Sequence, residues 1–113
     1  MEDCIFCKII SGSIPSKIIY QTDYSIVLQD IAPQAPIHYL IIPKKHIQDL
    51  VSCTDAETLV DLMSVPHHLS HELGLDQNAE PVSFKLITSD GYAAGQRVFH
   101  LHFHFLSGKA FID

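Results

Sequence analysis

The pattern of hydrophobic and polar positions along the chain predicts mostly short strands. Runs rich in β-branched and aromatic residues, bounded by turn residues such as the prolines of the 32–36 stretch, are typical of strands. The predicted strands are Ile18–Gln21, Ser25–Gln29, His38–Ile42, Ser83–Thr88 and Arg97–Leu106. The first two follow each other closely enough to form a hairpin.

Two other stretches predict helices. Residues 54–57 form a capping box, and apolar side chains then recur at positions 56, 59, 60 and 63, which is helical spacing. This pattern predicts an amphipathic helix over residues 55–73 that ends at Gly74, with a kink at Pro66 where a backbone hydrogen bond is lost. The short apolar stretch Cys4–Ile10 predicts one or two further helical turns.

Strands in succession with one long helix inserted predict an α+β domain built on an antiparallel sheet. The 113 residues are expected to fold as a single domain, residues 1–113. Hydrophobic residues make up 47% of the chain and charged residues 18%, which argues against intrinsic disorder. Since the sequence shows neither an apolar run long enough to span a bilayer nor the basic start of a signal peptide, we expect a cytoplasmic protein with no membrane partner.

The charge balance narrows the range of partners. Seven Lys and Arg residues against 13 Asp and Glu residues give a net charge of −6, and a domain this acidic repels the backbone of nucleic acids. A small anionic ligand can still bind where local donors hold it. Three cysteines are an odd number, and two of them are close in sequence, which is poor disulfide usage and fits a reducing cytoplasm.

The chain contains eight histidines, and three of them alternate with apolar residues near the end of the sequence. Because side chains alternate between the two faces of a strand, His100, His102 and His104 are predicted to share one face. The apolar residues of the same strand are predicted to take the other face and supply core: Phe99, Leu101, Phe103 and Phe105. Three imidazoles on one face predict either a metal chelate or a row of catalytic imidazoles.

The loop before the last predicted strand contains Gly91 and the pair Gly95-Gln96. Glycine lets a backbone approach a ligand closely, and successive N–H groups can form an anion-binding nest. Beside three imidazoles, this loop is a candidate phosphate seat.

The pair Cys4-x-x-Cys7 allows three interpretations: half of a zinc site, a redox pair, or two buried small residues. The redox interpretation is weak because the pair precedes the first strands instead of following one in a βαβ unit. Zinc needs two more ligands, and His46 is available. We expect Cys53 to be a bystander, and we expect a solvated helix face to hold His67, His68 and His71.

The last predicted strand carries a family resemblance. The segment His100-Leu-His-Phe-His-Phe-Leu106 resembles the His-φ-His-φ-His-φ-φ signature (φ, apolar) of the histidine-triad superfamily. Over nearly the whole chain, further segments resemble its Hint branch, the purine nucleoside phosphoramidate hydrolases: Cys4–Ile10, Ile14-Pro15, Asp30–Pro36, His38, Ile42–His46 and Ala94–Gln96. The branch that cleaves diadenosine polyphosphates is a poorer match.

The resemblance implies a fold and an activity. Similar proteins are homodimers in which two five-stranded antiparallel sheets, each with one long helix and a short N-terminal helix, join into one ten-stranded sheet. They cleave a P–N or related bond at a nucleoside 5′-phosphate and release AMP or GMP. The resemblance thus implies an enzyme that binds a purine nucleoside monophosphate and forms a nucleotidyl-histidine intermediate. A sheet that ends in an apolar, unbroken strand also favours a homodimer, because such an edge needs pairing.

The resemblance also assigns residues to the site. His102 matches the nucleophile, and His104 and His38 match the imidazoles that orient it and contact the phosphate. Asp30 matches the carboxylate that holds the ribose hydroxyls. The slot for the base, whose members could equally be ordinary core, matches Ile5, Phe6, Ile9, Leu28, Ile31 and Leu40. The phosphate seat matches Ser89, Gly95, Gln96, Arg97 and Val98, and the zinc ligands match Cys4, Cys7, His46 and His100.

Two positions depart from the family pattern. Ser89 stands where the Hint branch usually has an asparagine that contacts phosphate, and Arg97 stands where it usually has Ser or Thr. Strand alternation places Arg97 on the face opposite the histidines, so we expect it to modulate the reaction without being required. Two alternatives stay open: a nucleotidyltransferase or dinucleoside-polyphosphate hydrolase of the same superfamily, and a non-catalytic metal-binding or interaction protein.

Overall fold

The computed structural model describes residues 3–77 and 81–112. Its centre is a five-stranded sheet in which all neighbouring strands are antiparallel. In chain order the strands are β1 (Ile18–Gln21), β2 (Ser25–Gln29), β3 (Ile37–Pro43), β4 (Phe84–Ile87) and β5 (Phe103–Ser107). Their order across the sheet is β1-β2-β3-β5-β4, so the last strand lies inside the sheet and the two edges are β1 and β4. The predicted α+β architecture is confirmed.

Among the described residues, two α-helices accompany the sheet, α1 (Ile5–Ile10) and α2 (Ala56–Gln77), and residues Tyr92–Ala94 form a single 3₁₀ turn. At the start of α2 the Asp55 carboxylate, and not Thr54 as a capping box requires, accepts hydrogen bonds from the Glu57 amide and the Thr58 hydroxyl. The predicted end at Gly74 is wrong: this glycine is buried and the helix continues past it to Gln77. Pro66 lies inside the helix, which continues on both sides of it.

The helices cover opposite faces of the sheet. Val27 and Ile41 point to the face that packs against α2, where the larger buried cluster also includes Leu62, Val65 and Leu69. The α1 face holds a smaller buried cluster: Phe6, Ile26, Leu28 and Ile42. Because neighbouring residues of β2 and β3 belong to different clusters, these central strands are apolar on both faces, which explains their unbroken hydrophobic runs.

The segment before β5 is bent, and this corrects the prediction of one strand over Arg97–Leu106. Residues 98–100 form a bend, and the strand begins only at Phe103. The Leu101 amide donates to the Ile47 carbonyl, in a loop outside the sheet. Leu101, Phe103 and Phe105 are core residues as predicted, but Phe99 is 42% exposed. The strand predicted over residues 83–88 is also shorter, since β4 spans only Phe84–Ile87.

Within the described ranges, no helix is long and apolar enough to cross a membrane.

Candidate active site and metal centre

Three histidines come together on the α1 face of the sheet. His104 lies in β5, His38 in the neighbouring strand β3, and His102 just before β5. His102 and His104 have ring centroids 5.3 Å apart, and His38 and His104 have centroids 5.1 Å apart. The Phe6 ring of α1 meets His102 edge to face at 5.2 Å. The three residues predicted to be catalytic therefore form one continuous row, with Phe6 of α1 against its His102 end.

A backbone carbonyl fixes the tautomer of His102. Its Nδ1 lies 2.8 Å from the carbonyl oxygen of His100. A carbonyl oxygen only accepts hydrogen bonds, so Nδ1 donates and carries the proton of the neutral ring. The lone pair of His102 is then on Nε2, which makes this atom available as a nucleophile.

His38 and His104 form a hydrogen-bonded pair next to His102. Nε2 of His38 lies 2.9 Å from Nδ1 of His104, and Oδ2 of Asp30 lies 3.4 Å from the same His38 nitrogen. The other oxygen of Asp30 accepts from the Ala32 amide. Burial, followed by the neighbouring His102 and His38, lowers the pKa of His104, while Asp30 opposes this shift. His104 is therefore held neutral near pH 7.

A group of four side chains that could hold a metal ion lies beside this row. The ligand atoms of Cys4, Cys7, His46 and His100 all lie within 4.8 Å of one another. Nδ1 of His100 is 3.2 Å from Sγ of Cys4 and 3.5 Å from Sγ of Cys7, whose sulfur is 3.2 Å from Nδ1 of His46. His100 is completely buried and belongs to this group, so the three histidines predicted to share one face fall into two separate groups.

The protonation of His100 fits metal binding. Its Nε2 lies 2.8 Å from the Pro43 carbonyl oxygen and therefore donates to it. Its Nδ1 then turns a lone pair toward the two thiols, which is the arrangement of a metal-ligating imidazole held by a backbone carbonyl. Two nitrogens and two sulfurs are a donor set typical of a closed, four-coordinate structural site. A second group, formed by Asp30, His38 and His104, also lies within 4.8 Å but is hydrogen-bonded internally.

The residues predicted to grip a base are mostly brought together. Apolar packing around Phe6 includes Ile9, Leu28, Leu40 and Val98. Phe6 and Leu28 are buried against other side chains of this cluster, so both are core residues. Ile5 is 45% exposed on α1, and Ile31 is 97% exposed, so the fold does not bring Ile31 into this packing.

The glycine-bearing loop holds the predicted phosphate residues but uses several of them internally. The amides of Gly95 and Gln96 donate to carbonyls of the same loop, and the buried Gln96 side chain bridges Gly91, Gln48 and Val98. Gln96 thus braces the loop. Ser89 lies beside Gly95, with its Oγ 3.7 Å from where a Cβ on that glycine would be.

Arg97 lies outside any strand, so the alternation argument about its face does not apply. Its guanidinium carbon is 3.8 Å from the centroid of the Tyr92 ring, and Nη1 donates to the carbonyls of Tyr92 and Gln96. The residue lines a cavity of about 420 Å³ together with Cys4, Ile5, His46 and Val98. The arginine is held in place beside the same cavity as Cys4 and His46.

Other predictions have mixed outcomes. Cys53 is buried in the core. The histidines of α2 are only partly a solvated face, because His68 stacks on Tyr20 with ring centroids 4.1 Å apart. Sequence reasoning missed the backbone groups that orient the imidazoles, which are the carbonyls of Pro43 and His100 and the amide of Gln34. No side-chain signal marks such groups; the prolines at 33 and 36 indicated only a turn.

Comparison with known proteins agrees with this architecture. The sequence profile of the HIT domain matches residues 11–111. A histidine triad protein from Clostridium difficile is similar, with a TM-score of 0.87 and 38% identity over 100% of this chain and 96% of that one. For a HIT family hydrolase from Clostridium thermocellum the TM-score is 0.81, with 39% identity over 96% of this chain and 93% of that one. A histidine triad nucleotide-binding protein from Candida albicans has a TM-score of 0.80 and 39% identity, over 91% and 73% of the two chains. The chain belongs to the HIT family.

Proposed function

We propose that this protein is a hydrolase that cleaves a P–N or related bond at the 5′-phosphate of a purine nucleoside. The observation that carries the proposal is the hydrogen bond from Nδ1 of His102 to the His100 carbonyl, because it leaves Nε2 with its lone pair. The similarity to a HIT family hydrolase and to a histidine triad nucleotide-binding protein supports the same reaction class.

The reaction has two steps. Nε2 of His102 attacks phosphorus, the P–N bond breaks with its electron pair on nitrogen, and the amine leaves with a proton from solvent. Water then attacks phosphorus and loses one proton to solvent, the bond to His102 breaks with its electrons returning to Nε2, and AMP or GMP is released. His102 is the one residue proposed to bond covalently to the substrate. The rest of the rate acceleration is expected from positioning of the substrate and from hydrogen bonds to the phosphate oxygens. His104, held neutral by burial, is the proposed donor to these oxygens.

The proposed nucleotide lies along the α1 face. The packing around Phe6 and Leu40 offers an apolar wall for the base, and Asp30 offers a carboxylate for the ribose hydroxyls. Ser89 and the backbone of Arg97 and Val98 complete the phosphate seat. Local hydrogen-bond donors of this kind can bind an anion although the chain as a whole carries a net charge of −6.

The test is turnover of adenosine 5′-phosphoramidate and its guanosine analogue. We expect the wild-type protein to release AMP or GMP and His102→Ala to lower kcat by more than about 1000-fold, because the covalent step is lost. His67→Ala, which removes an exposed histidine of α2, is the matched control and should keep wild-type activity. A wild-type protein that releases neither product, or an active His102→Ala variant, would contradict the proposal.

We further propose that Cys4, Cys7, His46 and His100 hold zinc. The donor set and the orientation of the His100 lone pair support this assignment. Zinc would supply no chemistry to the reaction; these side chains would tie α1 to the segment that precedes β5, and so hold Phe6 against His102.

We propose finally that the protein is a homodimer. Strand β4 is an edge of the sheet, and its Phe84 and Ile87 are each more than a third exposed. An apolar edge with unpaired backbone groups is an aggregation hazard, and two-fold pairing of β4 with its copy removes it and joins the sheets into one.

A further inference from the structure

The turn that precedes β3 places a backbone amide against the buried His38. The Gln34 N–H donates to Nδ1 of His38, with a nitrogen-to-nitrogen distance of 3.1 Å. The side chain of Gln34 is exposed, whereas only 3% of His38 is exposed. Because an amide nitrogen donates and does not accept, Nδ1 of His38 carries no proton. The proton of the His38 ring is therefore on Nε2.

This assignment determines the state of the neighbouring ring. Nε2 of His38 donates to Nδ1 of His104 over 2.9 Å, and Asp30 faces the same N–H at 3.4 Å. Neutral His104 then accepts at Nδ1 and carries its own proton on Nε2, from which it can donate to an anion. If His38 instead carried its proton on Nδ1, then His104 would donate back to it and present a lone pair at Nε2, which repels phosphate oxygens.

We propose that the backbone N–H of Gln34 is a positioning group that sets the direction of the His38–His104 hydrogen bond, and thereby makes Nε2 of His104 a donor to the substrate phosphate. This inference rests on the proposed function, since the phosphate is the anion to be bound. A donor that is already oriented needs no reorganisation during the reaction. The same assignment argues against a metal between Asp30, His38 and His104. A metal there would need a lone pair on Nε2 of His38, and this nitrogen carries the proton.

Two substitutions at one position separate the amide from the side chain. Gln34→Pro removes the N–H, and Gln34→Ala keeps it while removing the side chain. Nitrogen-15 NMR of the imidazole rings reads the tautomer directly. We expect His38 protonated on Nε2 in the wild type and in Gln34→Ala, and loss of this single tautomer in Gln34→Pro.

Kinetics provide the second measurement. We expect Gln34→Pro to lower kcat for a purine nucleoside phosphoramidate by about 10–100-fold, by analogy with the loss on removing a group that orients a metal-bound imidazole. KM should change by less than about twofold, because the contacts to base and ribose are unaltered. Gln34→Ala should keep the wild-type kcat.

Three other results would overturn the proposed role of the Gln34 amide. A wild-type His38 protonated on Nδ1 would overturn the proposal, as would a Gln34→Pro variant with wild-type tautomer and kcat, or a Gln34→Ala variant as slow as Gln34→Pro. AMP binding and the melting temperature show whether Gln34→Pro is folded; if it is not, the wild-type tautomer decides alone. A protein with the expected tautomer but without turnover would support the tautomer assignment and refute the proposed function.

Discussion

Backbone groups decide what each histidine of this site can do. The Pro43 carbonyl turns Nδ1 of His100 toward two thiols, and the His100 carbonyl leaves Nε2 of His102 free. The two side chains are identical and only two positions apart, yet His100 turns Nδ1 toward the thiols of Cys4 and Cys7, whereas His102 uses Nδ1 to bind a backbone carbonyl. The hydrogen-bond partner of the second ring nitrogen sets the chemistry of the first.

The neutral state of His104 predicts a pH dependence of stability. Burial lowers the pKa of His104 in the folded protein, whereas in the unfolded chain it is near about 6.5. As the pH falls through this value, the unfolded chain takes up a proton that the folded protein does not, so the free energy of unfolding decreases. The melting temperature should therefore fall below about pH 6.5, and less steeply in His104→Asn. Because His38, His102 and Asp30 are present in both proteins, the comparison isolates the contribution of His104. If the melting temperature fell equally steeply with pH in the wild type and in His104→Asn, the assignment of a lowered pKa to His104 would be contradicted.

Arg97 is expected to tune the reaction without being essential to it. Its guanidinium is held by Tyr92 and lines the cavity near Val98, but it is exposed. Exposed charges contribute up to about 1 kcal/mol to an interaction, so Arg97→Ala should change kcat/KM by less than about 10-fold, with the change depending on the leaving group. The check compares neutral and acidic amine leaving groups. A loss as large as that of His102→Ala would show that Arg97 is required.

At the scale of elements, the proposed zinc site joins α1 to the bend before β5. Cys4 caps α1, since its Sγ accepts from the Cys7 amide, and both cysteines meet His100 from the distant end of the chain. Six residues are too few for a helix to be stable alone, so α1 depends on such attachments.

Removing the metal should therefore loosen α1. Elemental analysis of protein purified without chelator should find about one zinc per chain, and chelator or Cys4→Ser should lower the melting temperature by about 5–10 °C, which corresponds to about 1–2 kcal/mol in a domain of this size. Cys53→Ala is the matched control, because it removes a thiol from the core and should keep the zinc. Protein that contains no zinc and whose melting temperature does not change with chelator would refute the proposed zinc site.

The elements themselves were largely predictable, and the exceptions have physical causes. Strands β1 and β2 match the prediction because their β-branched runs are bounded by turns and pair locally. The predicted start of β5 is wrong because apolar and polar residues keep alternating in the sequence through residues 98–102, while the chain there bends so that Leu101 contacts Ile47 and His100 contacts the two cysteines. Tertiary contacts overrode the local pattern at the functional site. The amide of Gln34 was unpredictable because a backbone donor has no residue signature.

At the scale of the whole molecule, the exposed edge β4 predicts a dimer. Sedimentation at micromolar concentration should give twice the chain mass of 12.6 kDa. Ile87→Lys adds a charge at this edge and should shift the protein toward monomer, because edge lysines oppose strand pairing. Val51→Lys adds the same charge at a loop position that is 82% exposed and should leave the dimer intact. A wild-type monomer, or equal behaviour of the two variants, would contradict pairing through β4.

The proposed reaction requires that the nucleotide become covalently bonded to His102. The most direct measurement mixes excess protein with adenosine 5′-phosphoramidate, stops the reaction with alkaline denaturant within one turnover, and locates the added mass by peptide mass spectrometry. We predict one adenylyl group on His102 in the wild type and in His67→Ala, and none in His102→Ala. An adduct on His104 or His38, or full release of AMP with no adduct at any stopping time, would contradict the account.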